Sequence, residues 1–257
     1  MASDFSASEC AAAAFRSTLL DWRTFLRANW AWGVIGYVIH EIIRHEARLF
    51  SPAGLTACFN AFFVILGALI AVGWHRHILI AEQLSGLRTI RFAYRQARFL
   101  VTSLTLFAAV TIPIFVFTFV VARVIATYFP DVSSSVALII AAPTGLFYAC
   151  WAWARTSLTL PMVAVDVANP FRASWEYTRG RSWKLFLTFV MTILPLEVPA
   201  TIVAFLISGA SRSSSAYIAA LDFVSYAIFV MQICLGAAAI SFAYRKLAGP
   251  PATAAEA

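Results

Sequence analysis

Long uncharged apolar runs set the plan of this chain. They cover Ser51–Trp74, Phe99–Ala122, Val132–Ala154 and Phe223–Tyr244. Each exceeds the ~20 residues that a helix rising ~1.5 Å per residue needs to cross ~30 Å of hydrocarbon. Two further apolar runs carry charge inside them: 28–43 holds His40 and Glu41, and 185–208 holds Glu197 between Pro195 and Pro199. Together they predict an all-α polytopic membrane protein. Its transmembrane domain, 28–247, has six spans, near 28–43, 53–74, 99–127, 134–155, 184–208 and 217–244. Pro113, Pro143, Pro195 and Pro199 fall inside these spans, where each removes a backbone hydrogen bond and predicts a bend.

Three shorter stretches show helical periodicity with mixed polarity. In the N-terminal segment, residues 1–27, Phe15, Leu19, Trp22 and Leu26 fall at i, i+4, i+7 and i+11 while Arg16, Arg23 and Arg27 follow another stripe. This predicts an interfacial amphipathic helix near 9–27 with Trp22, Trp30 and Trp32 in the headgroup belt. Around 82–97, Leu87, Ile90, Tyr94 and Ala97 share one face beside Arg88, Arg91, Arg95 and Arg98. Those four arginines are candidate contacts for anionic lipid, worth on the order of 1 kcal/mol each near a charged surface. The third stretch, near 170–179, has Asn169 as N-cap, Pro170 at the first helical position and Gly180 as stop. It is expected to lie along the interface after the chain leaves the fourth span, with Trp175 as its anchor. Residues 248–257 are expected to be a flexible tail.

Composition agrees with the pattern. The chain is 61% hydrophobic and 12% charged, against roughly 45–50% and 25% in soluble domains. Its formal charge of +7 would raise nucleic acid as a partner in a soluble protein, but the placement of the charge answers that. With six spans, fifteen of the nineteen Lys and Arg residues lie on the side of the N-terminus, against Arg44, Arg48, Arg123 and Arg212 on the other. The asymmetry predicts both termini in the cytoplasm and no nucleic-acid role. Asp4 and Glu9 stand where a signal peptide would be basic, so insertion is expected to use the spans themselves.

Little in the sequence points to chemistry. Cys10, Cys58, Cys150 and Cys234 have no paired spacing and read as small hydrophobes. His75 and His77 are two apart, about 200° on a helix, so they cannot chelate one ion. No metal or cofactor is expected. Phosphate-loop, nucleophile-elbow, zinc-protease and dinucleotide motifs are missing from the sequence. An ionisable group inside a span is a candidate by default because burying it in hydrocarbon is costly. On that ground Glu197, Glu41, His40, Arg123 and Asp222, all predicted in the outer halves of their spans, form a candidate polar cluster. Arg179 and Arg181, flanking Gly180, form a candidate headgroup site, since guanidinium forks suit phosphate.

One resemblance adds to this. The pattern Arg155-x-Ser157-Leu158-x-Leu160-Pro161, followed by Asn169-Pro170-Phe171-x-Ala173-Ser174-Trp175-x-x-Thr178-Arg179-Gly180-Arg181-x-Trp183, resembles the membrane domain of glycerophosphodiester phosphodiesterases and related six-span bacterial families. Trp74-His75-Arg76, with Leu79 and Glu82 behind it, is similar to a motif of uncharacterised proteobacterial relatives of that group. The resemblance implies a six-helix domain of the bacterial inner membrane without the hydrolase barrel. The expected function is non-enzymatic: a scaffold or accessory subunit that engages membrane lipids or other membrane proteins. The alternative is a small transporter or lipid-handling protein that uses the cluster around Glu197.

Overall fold

A computed structural model describes residues 5–46, 51–83, 94–129, 134–209 and 215–249. Among them the secondary structure is helical: α1 (Ala7–Phe15), a π-helical turn (Arg16–Leu20), α2 (Trp22–His45), α3 (Pro52–Ile80), α4 (Tyr94–Tyr128), α5 (Ser134–Thr156), α6 (Thr159–Ala164), α7 (Pro170–Tyr177), α8 (Ser182–Gly209) and α9 (Ser215–Ala248). Among the described residues four helices are long and apolar enough to cross a membrane: Ala57–Ile80 within α3, Tyr94–Tyr128, Ser182–Gly209 and Ala216–Ala248. The run interrupted by Glu197 is thus one of the four. The other two expected spans, 28–43 and 134–155, coincide with α2 and α5. Helices α4, α5 and α8 continue through their internal prolines.

Helix α9 is the spine. It packs along α8 on one side and α3 on the other, while α4 pairs with α5 and leans on α3. The core shows the economy of a membrane bundle, in which lipid is as apolar as leucine and only close packing favours one arrangement over another. Ala237, Ala238, Ala239 and Ala243 of α9 are buried, whereas Phe107, Phe115 and Phe119 of α4 face outward. The main cluster joins Leu66, Ile70 and Trp74 of α3 to Tyr226, Val230 and Cys234 of α9, with Ala28 and Trp32 of α2. Trp32 is therefore core, whereas Trp22 and Trp30 are half exposed.

Gly36 of α2 lies in a tight approach to α9. A Cβ there would collide with the Tyr226 hydroxyl, which donates a hydrogen bond to the Trp32 carbonyl at 2.9 Å. The Gly36→Ala protein is expected to lose about 1–3 kcal/mol by overpacking. Adding Tyr226→Phe should recover part of that loss, because it removes the clashing oxygen. Unfolding by SDS titration of the single and double variants measures the coupling, and two additive losses would show that the clash is not the cause.

Two local expectations change. The single helix expected over 9–27 is two helices parted by the π turn and Asp21, whose backbone (φ −94°, ψ 51°) is not helical. Helix α1 buries Cys10, Ala11 and Ala14 against α8 and α9, while Leu19, Trp22 and Leu26 of the expected apolar stripe stay exposed. Small residues make the inner face because they let helices approach, and the large apolar ones are left to the surroundings. The connector after α5 also departs from a path along the surface. Leu158, Thr159, Met162, Val163 and Ala164 are fully buried, and α6 is wedged among α3, α4 and α9.

Candidate functional site

The connector is built on the end of α5. The last carbonyls of a helix have no intrahelical partner, and that of Arg155 is met by Ser174 Oγ of α7, which donates at 3.0 Å, with Thr178 Oγ1, just past α7, also within 3.2 Å but closer to the Ser174 carbonyl at 2.8 Å. Both hydroxyl residues are buried. Pro170 occupies the first turn of α7 as expected, and Gly180 closes it in the left-handed region at φ 72°. Asn169 differs from expectation. It is itself left-handed at φ 50°, and its side chain makes no capping bond.

This docking places the Arg155 side chain beneath α7. The residue is only 7% exposed, its guanidinium carbon lies 4.2 Å from the Trp175 ring centre, and its Nε has no hydrogen-bond partner. Trp175 stands edge-on to Trp151 at 5.5 Å. Beside them is a cleft of about 570 Å³, lined by Arg155, Arg179, Gly180, Trp151, Trp183 and others. Cys150 and Phe186 belong both to it and to an apolar groove of about 500 Å³ between α4, α5 and α8. Arg181 does not line the cleft.

A second polar knot joins the two stretches that carry the family-like motif. Arg76, at the end of α3, donates from one guanidinium nitrogen to the Ala164 carbonyl at the end of α6, at 2.9 Å. It also hydrogen-bonds the Glu82 carboxylate and lies 3.9 Å from Asp166. Asp166 gathers Arg95 at 2.9 Å and Arg98 at 3.8 Å as well. It adopts a left-handed backbone at φ 60°, which a short polar side chain tolerates. The two histidines part ways: His75 Nδ1 shares a hydrogen bond with Ser241 Oγ at 2.7 Å, deep between α3 and α9, and His77 meets the Glu82 carbonyl at 3.0 Å. Trp74 is buried against Phe25, edge-on at 6.1 Å. Leu79, Pro161, Ser174 and Leu158 of the same motif are core. Arg88 and Arg91 lie outside the described residues.

At the opposite end, the structure places the outer candidates on four helices. His40 and Glu41 are 3.5 Å apart on α2. Asp222 lies on α9, which meets α2 nearby: Tyr37 donates to the Ala219 carbonyl at 3.2 Å and stands edge-on to Phe223. Glu197 of α8 instead accepts from Gln232 of α9 at 3.1 Å. Arg123 of α4 lies 5.8 Å from the ring of Phe119, on its own helix. Away from these sites, burial pushes the Cys10 thiol up to about 11, with Lys246 lowering it and Glu9 raising it by smaller amounts, so it stays protonated and packs as a small hydrophobe.

Asp166, Ser241 and the Arg155 guanidinium carry this geometry, yet sequence reasoning gave none of them a site role. Ser241 falls inside the expected span near 217–244, and Asp166 lies between the two parts of the family-like pattern. A cue for Arg155 was present: a basic residue ending an apolar run, followed by a motif with two hydroxyl residues at helical spacing. Comparison with protein-family models, with curated proteins and with solved structures gives no match to this chain.

Proposed function

We propose that this protein is a non-enzymatic component of the bacterial inner membrane, crossing it six times with both termini in the cytoplasm, and that it acts by holding membrane lipid. The observation that carries the reading is the cleft beside Arg155, which shares Cys150 and Phe186 with the apolar groove between α4, α5 and α8. A largely apolar mouth that carries two arginines, joined to an apolar trough, suits a charged headgroup joined to a chain. Two partly exposed tryptophans, Trp151 and Trp183, line the mouth and Trp175 packs against Trp151 and Arg155 behind it, which fits the depth at which indoles and headgroups meet. A scaffold or accessory-subunit role follows if the bound lipid also bridges to another membrane protein.

Gentle extraction followed by native mass spectrometry tests the reading. The expected result is one phospholipid retained per chain under conditions that strip loosely held lipid. Leu106→Trp or Ala149→Trp, which fill the groove, should reduce retention severalfold without unfolding the protein. A chain that keeps no lipid and is indifferent to the groove-filling changes would sink the proposal.

A further inference from the structure

The mouth of the groove has an electrostatic asymmetry that selects among lipids. Its two charged residues are both cations, Arg155 and Arg179. Glu176, the nearest acid in sequence to Arg179, is engaged by Arg172 at 3.0 Å, and the Asp166 carboxylate is held by Arg95 and its neighbours. Among the described residues neither Arg155 nor Arg179 has a carboxylate partner. Arg155 is the more telling of the two, because a guanidinium more than nine-tenths buried with its Nε unbonded loses hydration that the Trp175 ring replaces only in part. A fork of N–H donors left open in this way fits the paired oxygens of a phosphate.

Resting on the lipid-binding reading above, we infer that the cleft is a headgroup site for a phospholipid of net negative charge, its phosphate held between Arg155 and Arg179 and one acyl chain laid in the groove. Phosphate alone satisfies the forks. A zwitterionic headgroup would also bring an ammonium toward two uncompensated guanidinium groups, whereas a glycerol headgroup brings only hydroxyls. Arg155 is fixed by its packing under α7, and Arg179 is exposed at the rim, so the first positions the phosphate and the second closes over it. The tryptophan-lined mouth favours a membrane lipid over a soluble phosphate ester, because it opens where headgroups lie.

The purified full chain, titrated in neutral detergent with phosphatidylglycerol or phosphatidylethanolamine of matched chains, gives the test. Native mass spectra count bound lipid, and tryptophan fluorescence, summed over the chain's eight tryptophans, is compared with that of a Trp183→Phe protein to isolate the change at the mouth. Phosphatidylglycerol should bind on the order of tenfold more tightly, the effect of one good charge-assisted contact. Arg155→Gln should abolish that preference. Arg179→Gln, whose exposed position keeps folding out of the question, should cut it severalfold, weakening phosphatidylglycerol more than phosphatidylethanolamine, whose phosphate loses the same contact. Equal binding of the two lipids by the unaltered chain overturns the headgroup assignment and leaves the groove reading standing. Binding of neither lipid overturns both. If sodium phosphate, at ionic strength matched with chloride, displaces phosphatidylglycerol and gives the same fluorescence change in delipidated protein, the site recognises free phosphate and the lipid assignment fails.

Discussion

Replacing Arg76 with methionine is expected to destabilise the protein by about 2–4 kcal/mol. Methionine keeps the stem and its packing but removes every polar contact of the guanidinium. The largest part of the loss comes from the Ala164 carbonyl, which terminates α6 and takes its bond from Arg76 at 2.9 Å. α6 is buried, and a carbonyl left without a partner there costs about 1–3 kcal/mol. The Glu82 and Asp166 contacts add less, because both acids are nearly half exposed, at 47%, and exposed ion pairs are worth roughly 0–1 kcal/mol. Two companions sharpen the test. Lysine at position 76 restores charge without the fork that serves Ala164 and Glu82 together, so it should recover only part of the loss. Asp166→Asn should cost about 1 kcal/mol, even though Asp166 touches three arginines, because its carboxylate is the more solvated partner. Unfolding by SDS titration ranks the three. Equal losses for Arg76→Met and Asp166→Asn would move the weight from the α6 carbonyl to the ion pairs.

That ranking bears on what the sequence disclosed. The spans were legible because hydrocarbon thickness imposes a length that uninterrupted apolar runs either reach or miss, and α3, α4, α8 and α9 reach it. The entry and stop of α7 were legible too, since Pro170 and Gly180 act through their own backbones. Burial of α6 was not. Six residues with a proline among them show no period, and Thr159–Ala164 reads equally well as a turn on the surface. At the N-terminus the apolar stripe of Leu19, Trp22 and Leu26 was legible and is left exposed, but the break at Asp21 and the packing of Cys10, Ala11 and Ala14 against neighbouring helices were not, because small residues give no periodic signal of their own.

The two candidate sites divide along the same line. Counting residues gives depth in the membrane, so Glu41, Arg123, Glu197 and Asp222 could be placed in one layer, but it gives no azimuth. Glu197 turns to Gln232, and Arg123 lies over Phe119 on a helix that packs with α3, α5 and α6. At the other end the partners are far apart in sequence, as with Arg76 and Ala164 or His75 and Ser241. No local pattern encodes those pairings. What the sequence did carry was the clustering of basic residues at that end, and the structure resolves it into arginines that are neutralised, such as Arg76 and Arg95, and arginines that are not, such as Arg155 and Arg179.

Trp74 supplies the other large effect, and its two substitutions should separate sharply. The side chain is 1% exposed and sits in the main core cluster with Ile70, Cys234 and Ala238. Truncating a buried Trp to alanine in a soluble core costs about 3–5 kcal/mol, part transfer and part cavity. Here the transfer part shrinks, since the surroundings that receive a displaced side chain are themselves largely apolar, and the packing part remains. Trp74→Ala is therefore expected to lose about 2–4 kcal/mol. Trp74→Phe keeps the edge-on contact with Phe25 and deletes an indole N–H that has no hydrogen-bond partner. Removing an unmet buried donor returns about 1–3 kcal/mol, which offsets most of the smaller void that phenylalanine leaves. The phenylalanine protein should then lie within about 1 kcal/mol of the parent. Thermal unfolding in mild detergent and SDS titration both read the difference. If phenylalanine costs as much as alanine, the N–H is engaged in the folded protein and the indole is held at position 74 by its polar edge rather than by its volume.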